Sequence, residues 1–281
     1  MSDSLLRLLL CTNGNENTRP ALNYGVWMAG LLHSQVTLLG VIEELADEKI
    51  VKKLLDDTEE KLKDNDIPYD IRLDYGRGSV VVAKHASTGP FLTILGPLGR
   101  PAWRRVIQGR SFRRVLEKVA TPLLYVRQVR PQLNQILLCL GGLEYSESVQ
   151  QLCLYLAKIS SASLTLLHVV EPVKLDYPIS KEIHNHWQHI LETDTPQGKT
   201  LRKAFEEAQS SGLPVQFKVR HGNPVHEILE EVKSGGYDLI GMGSPHSAHS
   251  LRHLYMPNVT AEVAEVTDCP VLSVRKGFSL V

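Results

Sequence analysis

The sequence predicts an α/β protein made of two similar units, each a doubly wound, five-stranded parallel sheet. Three observations carry this. Short runs of Leu, Val and Ile are continuous rather than alternating, as in strands buried on both faces. Segments of helical period lie between them. Four stretches of the first half also recur in the second half in the same order.

In the first half the runs predict strands over residues 5–12, 36–42, 69–74, 91–96 and 123–126. Helices are expected over 19–33, 47–63, 78–88 and 110–120; the second shows Ile50, Val51, Leu54, Leu55 and Leu62 among charges. The recurring pairs are "LLRLLLCTNG" with "NQILLCLGG", "SQVTLLGVIEE" with "ASLTLLHVVEP", "RLDYGRGSVVVAK" with "KVRHGNPVHEILE", and "ATPLLYVR" with "DCPVLSVR". Cys11 thereby falls on Cys139. The repeats join near residues 128–134, giving domains of residues 1–130 and 131–281. Strand–helix alternation makes each a parallel, doubly wound sheet, whose ligand crevice lies beyond the carboxyl ends of its strands where strand order reverses. The two fifth strands would be sheet edges in this topology, and pairing with each other would cover them in an intramolecular pseudo-dimer.

Lys plus Arg and Asp plus Glu both count 31, so the chain lacks the global field of a nucleic-acid binder. No apolar run approaches the ~20 residues of a bilayer span. The opening "SLLRLLLCT" is interrupted by Arg7 and recurs mid-chain, so it reads as a strand rather than a leader. The four cysteines are widely spaced and form no CxxC pair, which points to reduced thiols and a cytoplasmic protein.

The stretch "TILGPLGRPAWRRVIQGRSF" carries the candidate site. Gly96 ends the fourth strand and Gly109 opens the fourth helix. Glycines admit close backbone approach, a helix N-terminus attracts anions, and arginine forks match phosphate oxygens. Arg110, Arg113 and Arg114 sit where their charge opposes the helix dipole, a conflict that a bound anion would relieve. The plain alternative is a loop shaped by glycine with arginines facing water.

The repeated pattern, with Gly96-x2-Gly99-x9-Gly109 after the fourth strand, resembles the universal stress protein family, specifically its tandem members. The resemblance implies an adenine nucleotide alpha hydrolase-like fold. It also implies a nucleotide site with Gly96, Gly99, Arg100, Gly109, Arg110 and Ser111 around the phosphates and Asn13 and Val41 near the ribose and base. Three departures stand out. Arg110 occupies the Ser/Thr place, with Ser111 one residue late. Asn13 and Gly141 replace the Asp that ends the first strand. In the second copy His246 replaces the second glycine, and Pro257-Asn258 occupies the region of the third.

Other motifs carry less. "GKT" at 198–200 lacks the upstream glycine of a P-loop, since Thr193 stands there, and reads as a turn between helices. His184, His186 and His189, and His246, His249 and His253, form two clusters without a completing Glu or Cys, so no metal site is expected. The segment 173–197 lengthens the second copy and is expected to add a helix, either as a lid or partner face or as a longer surface helix. With no G-x-S-x-G, HExxH or activated cysteine, binding and sensing are the expected roles. The ligand would be ATP, a related adenine nucleotide or another small phosphorylated molecule, with protein partners or a homodimer also open. Two rivals remain: an interaction or scaffold protein with a vestigial site, holding an apolar ligand or acting through its surfaces, and a weak nucleotide hydrolase.

Overall fold

The computed structural model describes residues 6–98, 111–141, 146–171, 187–244 and 259–279. Its contacts divide the chain into two compact units. Unit 1 takes in residues up to Gln132 together with Ala264–Ser273, and unit 2 takes in Leu133–Val263 and Val274–Ser279.

Unit 1 runs β1 (Arg7–Thr12), α1 (Arg19–Leu32), β2 (Val36–Ile42), α2 (Glu48–Asp64), β3 (Tyr69–Tyr75), α3 (Gly78–Ala86), β4 (Phe91–Leu95), α4 (Ser111–Lys118) and β5 (Leu123–Tyr125). The sequence places these elements within a few residues of their observed ends. The strands lie in the order β3-β2-β1-β4-β5 and pair in parallel. Order reverses between β1 and β4, so both neighbours of β1 hold it in the middle of the sheet. Leu8, Leu9, Leu10 and Cys11 are wholly buried there, as a strand covered on both faces requires.

The other edge of β5 is covered within the same unit. Val271, Leu272 and Ser273, the start of β10 (Val271–Arg275), run antiparallel to Tyr125, Leu124 and Leu123. Arg127, just past β5, donates through Nη1 to the carbonyl of Glu265 at 2.7 Å. The fifth-strand edge is thus paired, as the topology expects.

Unit 2 contains β6 (Gln135–Cys139), α5 (Glu147–Ser160), β7 (Ser163–Val170), a 3-10 turn (Trp187–Glu192), α6 (Pro196–Gln209), β8 (Val215–His221), α7 (Pro224–Gly235), β9 (Leu239–Ser244) and the start of α8 (Val259–Val266). Its strands run in parallel in the order β9-β6-β7-β8. The repeat is visible in backbone detail. α1 and α5 are both 14 residues long, and each ends on a left-handed residue, His33 and Ser161. Of the expected extra segment, the described part is the 3-10 turn and the start of α6; residues 172–186 lie outside the described residues. "GKT" lies in the first two turns of α6, with Thr195 capping the Gly198 amide at 3.0 Å, rather than in a turn between helices. Thr195 is a good N-cap and Pro196 suits the first helical position, so the local sequence favours the helix.

Among the described residues unit 2 buries two carboxylates, Glu231 and Asp238. Glu231 of α7 is 3% exposed; its Oε1 accepts from Lys218 Nζ and Tyr237 OH, both at 2.7 Å, and its Oε2 accepts from Arg220 Nη1 at 3.0 Å. Burial alone would raise its pKa, but the hydrogen bonds from Lys218, Tyr237 and Arg220 together hold it below the ordinary value. The ion therefore stabilises the fold above the ordinary glutamate range, and that contribution fades as pH falls through it. Glu231→Ala is expected to cost about 2–3 kcal/mol in urea unfolding, below the ~3–5 of a fully buried pair. The reduction reflects the 38% and 32% exposure of the Lys218 and Arg220 side chains.

Candidate functional site

In unit 1 the residues just past β2 and β4 reach the start of α3, where Glu43 and Leu98 lie against Gly78, and the end of β4 lies against the loop between β1 and α1. The loop after β1 is tied down by its own side chains. The Thr18 hydroxyl donates to the Asn15 carbonyl at 2.6 Å, so its 2.7 Å contact with Thr12 is donated by Thr12. Thr12 Oγ1 accepts the Gly14 amide at 3.1 Å. Asn13 Oδ1 accepts the Asn15 amide at 3.3 Å, a local turn in which the oxygen already has a donor. The Asn13 side chain is half-buried at the end of β1.

Val41 is fully buried. β2 pairs with β1 only as far as Thr12↔Gly40, whereas it stays paired with β3 through Ile42↔Tyr75. Val41 thus lies one residue beyond the last partner on β1, at the carboxyl end of β2. Asn13 and Val41 are therefore neighbours at the ends of adjacent strands.

Gly96 has a packing reason of its own. A Cβ there would lie 2.9 Å from the Asn17 carbonyl oxygen, 3.1 Å from Thr18 Cα and 3.2 Å from the Val126 carbonyl oxygen. All three are backbone atoms, so the end of β4 is held directly against the β1–α1 loop. Gly99, Arg100, Gly109 and Arg110 lie outside the described residues, as does the side chain of Ser111. α4 begins at Ser111, which places its first turn directly after the glycine stretch. Phe112 anchors that turn: its ring stacks on Tyr125 of β5 with centroids 4.2 Å apart. Burial pushes the Tyr125 hydroxyl up to about 12. Arg113 donates through Nε to Glu117 Oε1 at 3.1 Å along the same helix, and Arg114 is exposed, so Arg113 has a partner without any ligand.

A further residue of this edge escaped the sequence reading. Glu43, just after β2, accepts the Gly78 amide at 2.7 Å and so fills the anion-attracting start of α3 with the protein's own carboxylate. A carboxylate directly after a buried strand was the available signal. Among the described residues no group of three His, Cys, Asp or Glu side chains is placed to hold a metal ion. His189 contacts Glu192 at 3.2 Å, while His184, His186, His246, His249 and His253 lie outside the described residues.

The corresponding strand of unit 2 differs by a paired exchange. With Cys11 set on Cys139, Gly40 falls on His168; counting back from Gly76 and Gly222, Val51 falls on Gln197. In unit 1 a Cβ on Gly40 would lie 2.7 Å from Val51 Cγ1. In unit 2 the buried His168 ring uses Nδ1 on the Leu140 carbonyl at 2.7 Å and Nε2 on Gln197 Nε2 at 3.2 Å. A carbonyl can only accept, so Nδ1 carries the proton and Nε2 accepts from the amide; the ring is neutral. An apolar contact has become a hydrogen bond at the same point.

Burial lowers the His168 pKa against the opposing pull of the Leu140 carbonyl, and His221 lowers it further. The unfolded chain therefore takes up this proton first as pH falls, and stability drops below the ordinary histidine value of about 6.5. His168→Gln should lose less stability than the unaltered protein between pH 7.5 and 5.5, as read from paired urea titrations. Gly96→Ala should cost about 1–3 kcal/mol by the same measurement, with no ligand present, because backbone must move on two sides.

A family model, the universal stress protein family, matches residues 133–275. The matched residues include the copy whose loop departs further from the glycine pattern. The universal stress protein YxiE of Bacillus subtilis is 29% identical over 147 residues, which cover 50% of this chain and 99% of that protein. The universal stress protein Slr1230 of Synechocystis is 23% identical over 304 aligned positions, covering 95% of this chain and 99% of that one. A crystal structure of a universal stress protein from Archaeoglobus fulgidus superposes with a TM-score of 0.75 at 16% identity, over 98% of this chain and 97% of its own. Framework, element order and family model agree: the chain belongs to the universal stress protein family.

Proposed function

We propose that the first repeat, residues 1–130, binds an adenine nucleotide or a closely related phosphorylated ligand at the carboxyl ends of β1, β2 and β4. In this reading the protein acts as a cytoplasmic stress-response sensor or regulator, and residues 131–281 form a second domain without a working nucleotide loop. The carrying observation is the Gly96-x2-Gly99-x9-Gly109 spacing, which leads from the end of β4 to the first turn of α4 in a member of this family. The phosphates lie at α4 in this reading, with Gly96, Gly99, Arg100, Gly109, Arg110 and Ser111 around them. Electrostatics favours α4 over α3, because Glu43 already occupies the α3 start. Asn13 and Val41, side by side at the ends of adjacent strands, face the ribose and base. Asn13 offers an amide instead of a carboxylate, which weakens the grip on a ribose hydroxyl.

A second reading has its own support. Gly96 is needed for packing, Asn13 Oδ1 already has a donor, and Arg113 is paired with Glu117. Those three facts suit an interaction protein whose nucleotide site is vestigial. Thermal melting with ATP separates the two. A ligand at one hundred times its Kd contributes about 2.7 kcal/mol, a rise of roughly 5–10 °C for a protein of this size. Under the nucleotide reading ATP raises the melting temperature, and Gly109→Asp removes the rise by setting a carboxylate against the phosphates. An unchanged melting temperature in saturating ATP, with no nucleotide released on denaturing fresh protein, establishes the second reading instead.

A further inference from the structure

Unit 2 contains a cavity of about 570 Å³ between the first two turns of α5, the middle of α6 and the residues that follow β10. Its origin is clear from the corresponding helices of unit 1. There α1 and α2 are held together by side chains that meet directly: Arg19 Nη1 with Asp57 Oδ2 at 2.8 Å, and Lys61 Nζ with Asn23 Oδ1 at 2.6 Å. The alignment that sets Cys11 on Cys139 puts Arg19 on Glu147, and counting back from Gly76 and Gly222 puts Asp57 on Lys203. The charges have changed places. Both new charges line the cavity, yet they do not pair with each other; Lys203 reaches instead to Glu207 of its own helix at 3.6 Å.

The floor of the cavity is polar and short of partners. Ser146 and Ser148 are each only 8% exposed, and neither hydroxyl has a hydrogen bond among the described residues. They flank the start of α5, whose N-cap Ser146 makes no side-chain cap and whose first-turn amides attract negative charge. Gln150, 3% exposed, donates to the Ala204 carbonyl at 2.9 Å and to Glu207 Oε2 at 3.1 Å, so the floor is fixed in place. Phe278 adds an apolar wall.

We infer that this cavity binds a small zwitterion of the α-amino acid class. Its carboxylate meets the Ser146 and Ser148 hydroxyls, the α5 amides and Lys203; its ammonium meets Glu147 and Glu207; its side chain lies against Phe278. Such a ligand supplies both charges of the bridge that unit 1 makes directly, which a simple anion or a neutral polyol does not. The site is independent of the glycine loop of the first repeat, so it stands whether or not ATP binds.

Calorimetric titration of the full chain tests this with L-leucine and its two half-analogues, 4-methylpentanoate without the amine and 3-methylbutylamine without the carboxylate. Leucine should bind saturably and each half-analogue at least about tenfold more weakly, the loss of one charge-assisted hydrogen-bond set. Lys203→Met and Ser148→Ala should each weaken leucine binding while leaving the melting temperature without ligand nearly unchanged. Glu147→Arg combined with Lys203→Asp recreates the unit 1 pair, closes the cavity and should abolish binding with no loss of stability. The inference is overturned if leucine shows no saturation, if 4-methylpentanoate, inorganic phosphate or D-ribose binds as well as leucine, or if the double variant still binds.

Discussion

The central position of β1 is the constraint on which unit 1 depends. A parallel strand flanked by β2 and β4 has its backbone committed to both neighbours, and its side chains need helices above and below. That commitment brings the loops after β1, β2 and β4 to one rim. It also sets the spacing at that rim: the β1–α1 loop can lie against the end of β4 only because Gly96 presents no Cβ. The candidate site is therefore a by-product of strand order, with its chemistry left to the residues that decorate the rim.

Two kinds of information differed in how far the sequence revealed them. Strands with every side chain buried announce themselves as unbroken apolar runs, so β2 falls on residues 36–42 in both descriptions. α2 is equally plain, because Val51, Leu54, Leu55 and Leu62 form its buried stripe. The uses of single residues were less legible. Nothing local to Gly96 says that its neighbours will be Asn17 and Thr18, far away along the chain. Glu43 looks like any charged residue after a strand until Gly78 arrives beside it. "GKT" lies in the 14-residue helix α6 rather than in the expected turn, because Thr195 and Pro196 supply a capping signal that starts the helix just before it.

The repeat is more informative where its copies disagree than where they match. Gly40 with Val51 becomes His168 with Gln197, and Arg19 with Asp57 becomes Glu147 with Lys203. In each exchange both members change together. The first keeps the contact and alters its chemistry; the second keeps the charges and abandons the contact. A core position tolerates only the former, because an unmet polar group in a dry interior is expensive. Helix surfaces allow the latter, since water or a solute can stand between the partners.

Unit 1 also has a consequence for synthesis. The strand segment that lies along β5 is drawn from residues 271–273, near the carboxyl end of the chain. During translation the first half emerges with five strands, and its β5 margin stays open until residues 271–273 have followed. A nascent sheet in that condition is a template for unwanted strand addition. Arg127 and Arg130 follow β5 closely and place positive charge near that margin, the kind of residue that disfavours strand addition at a sheet edge.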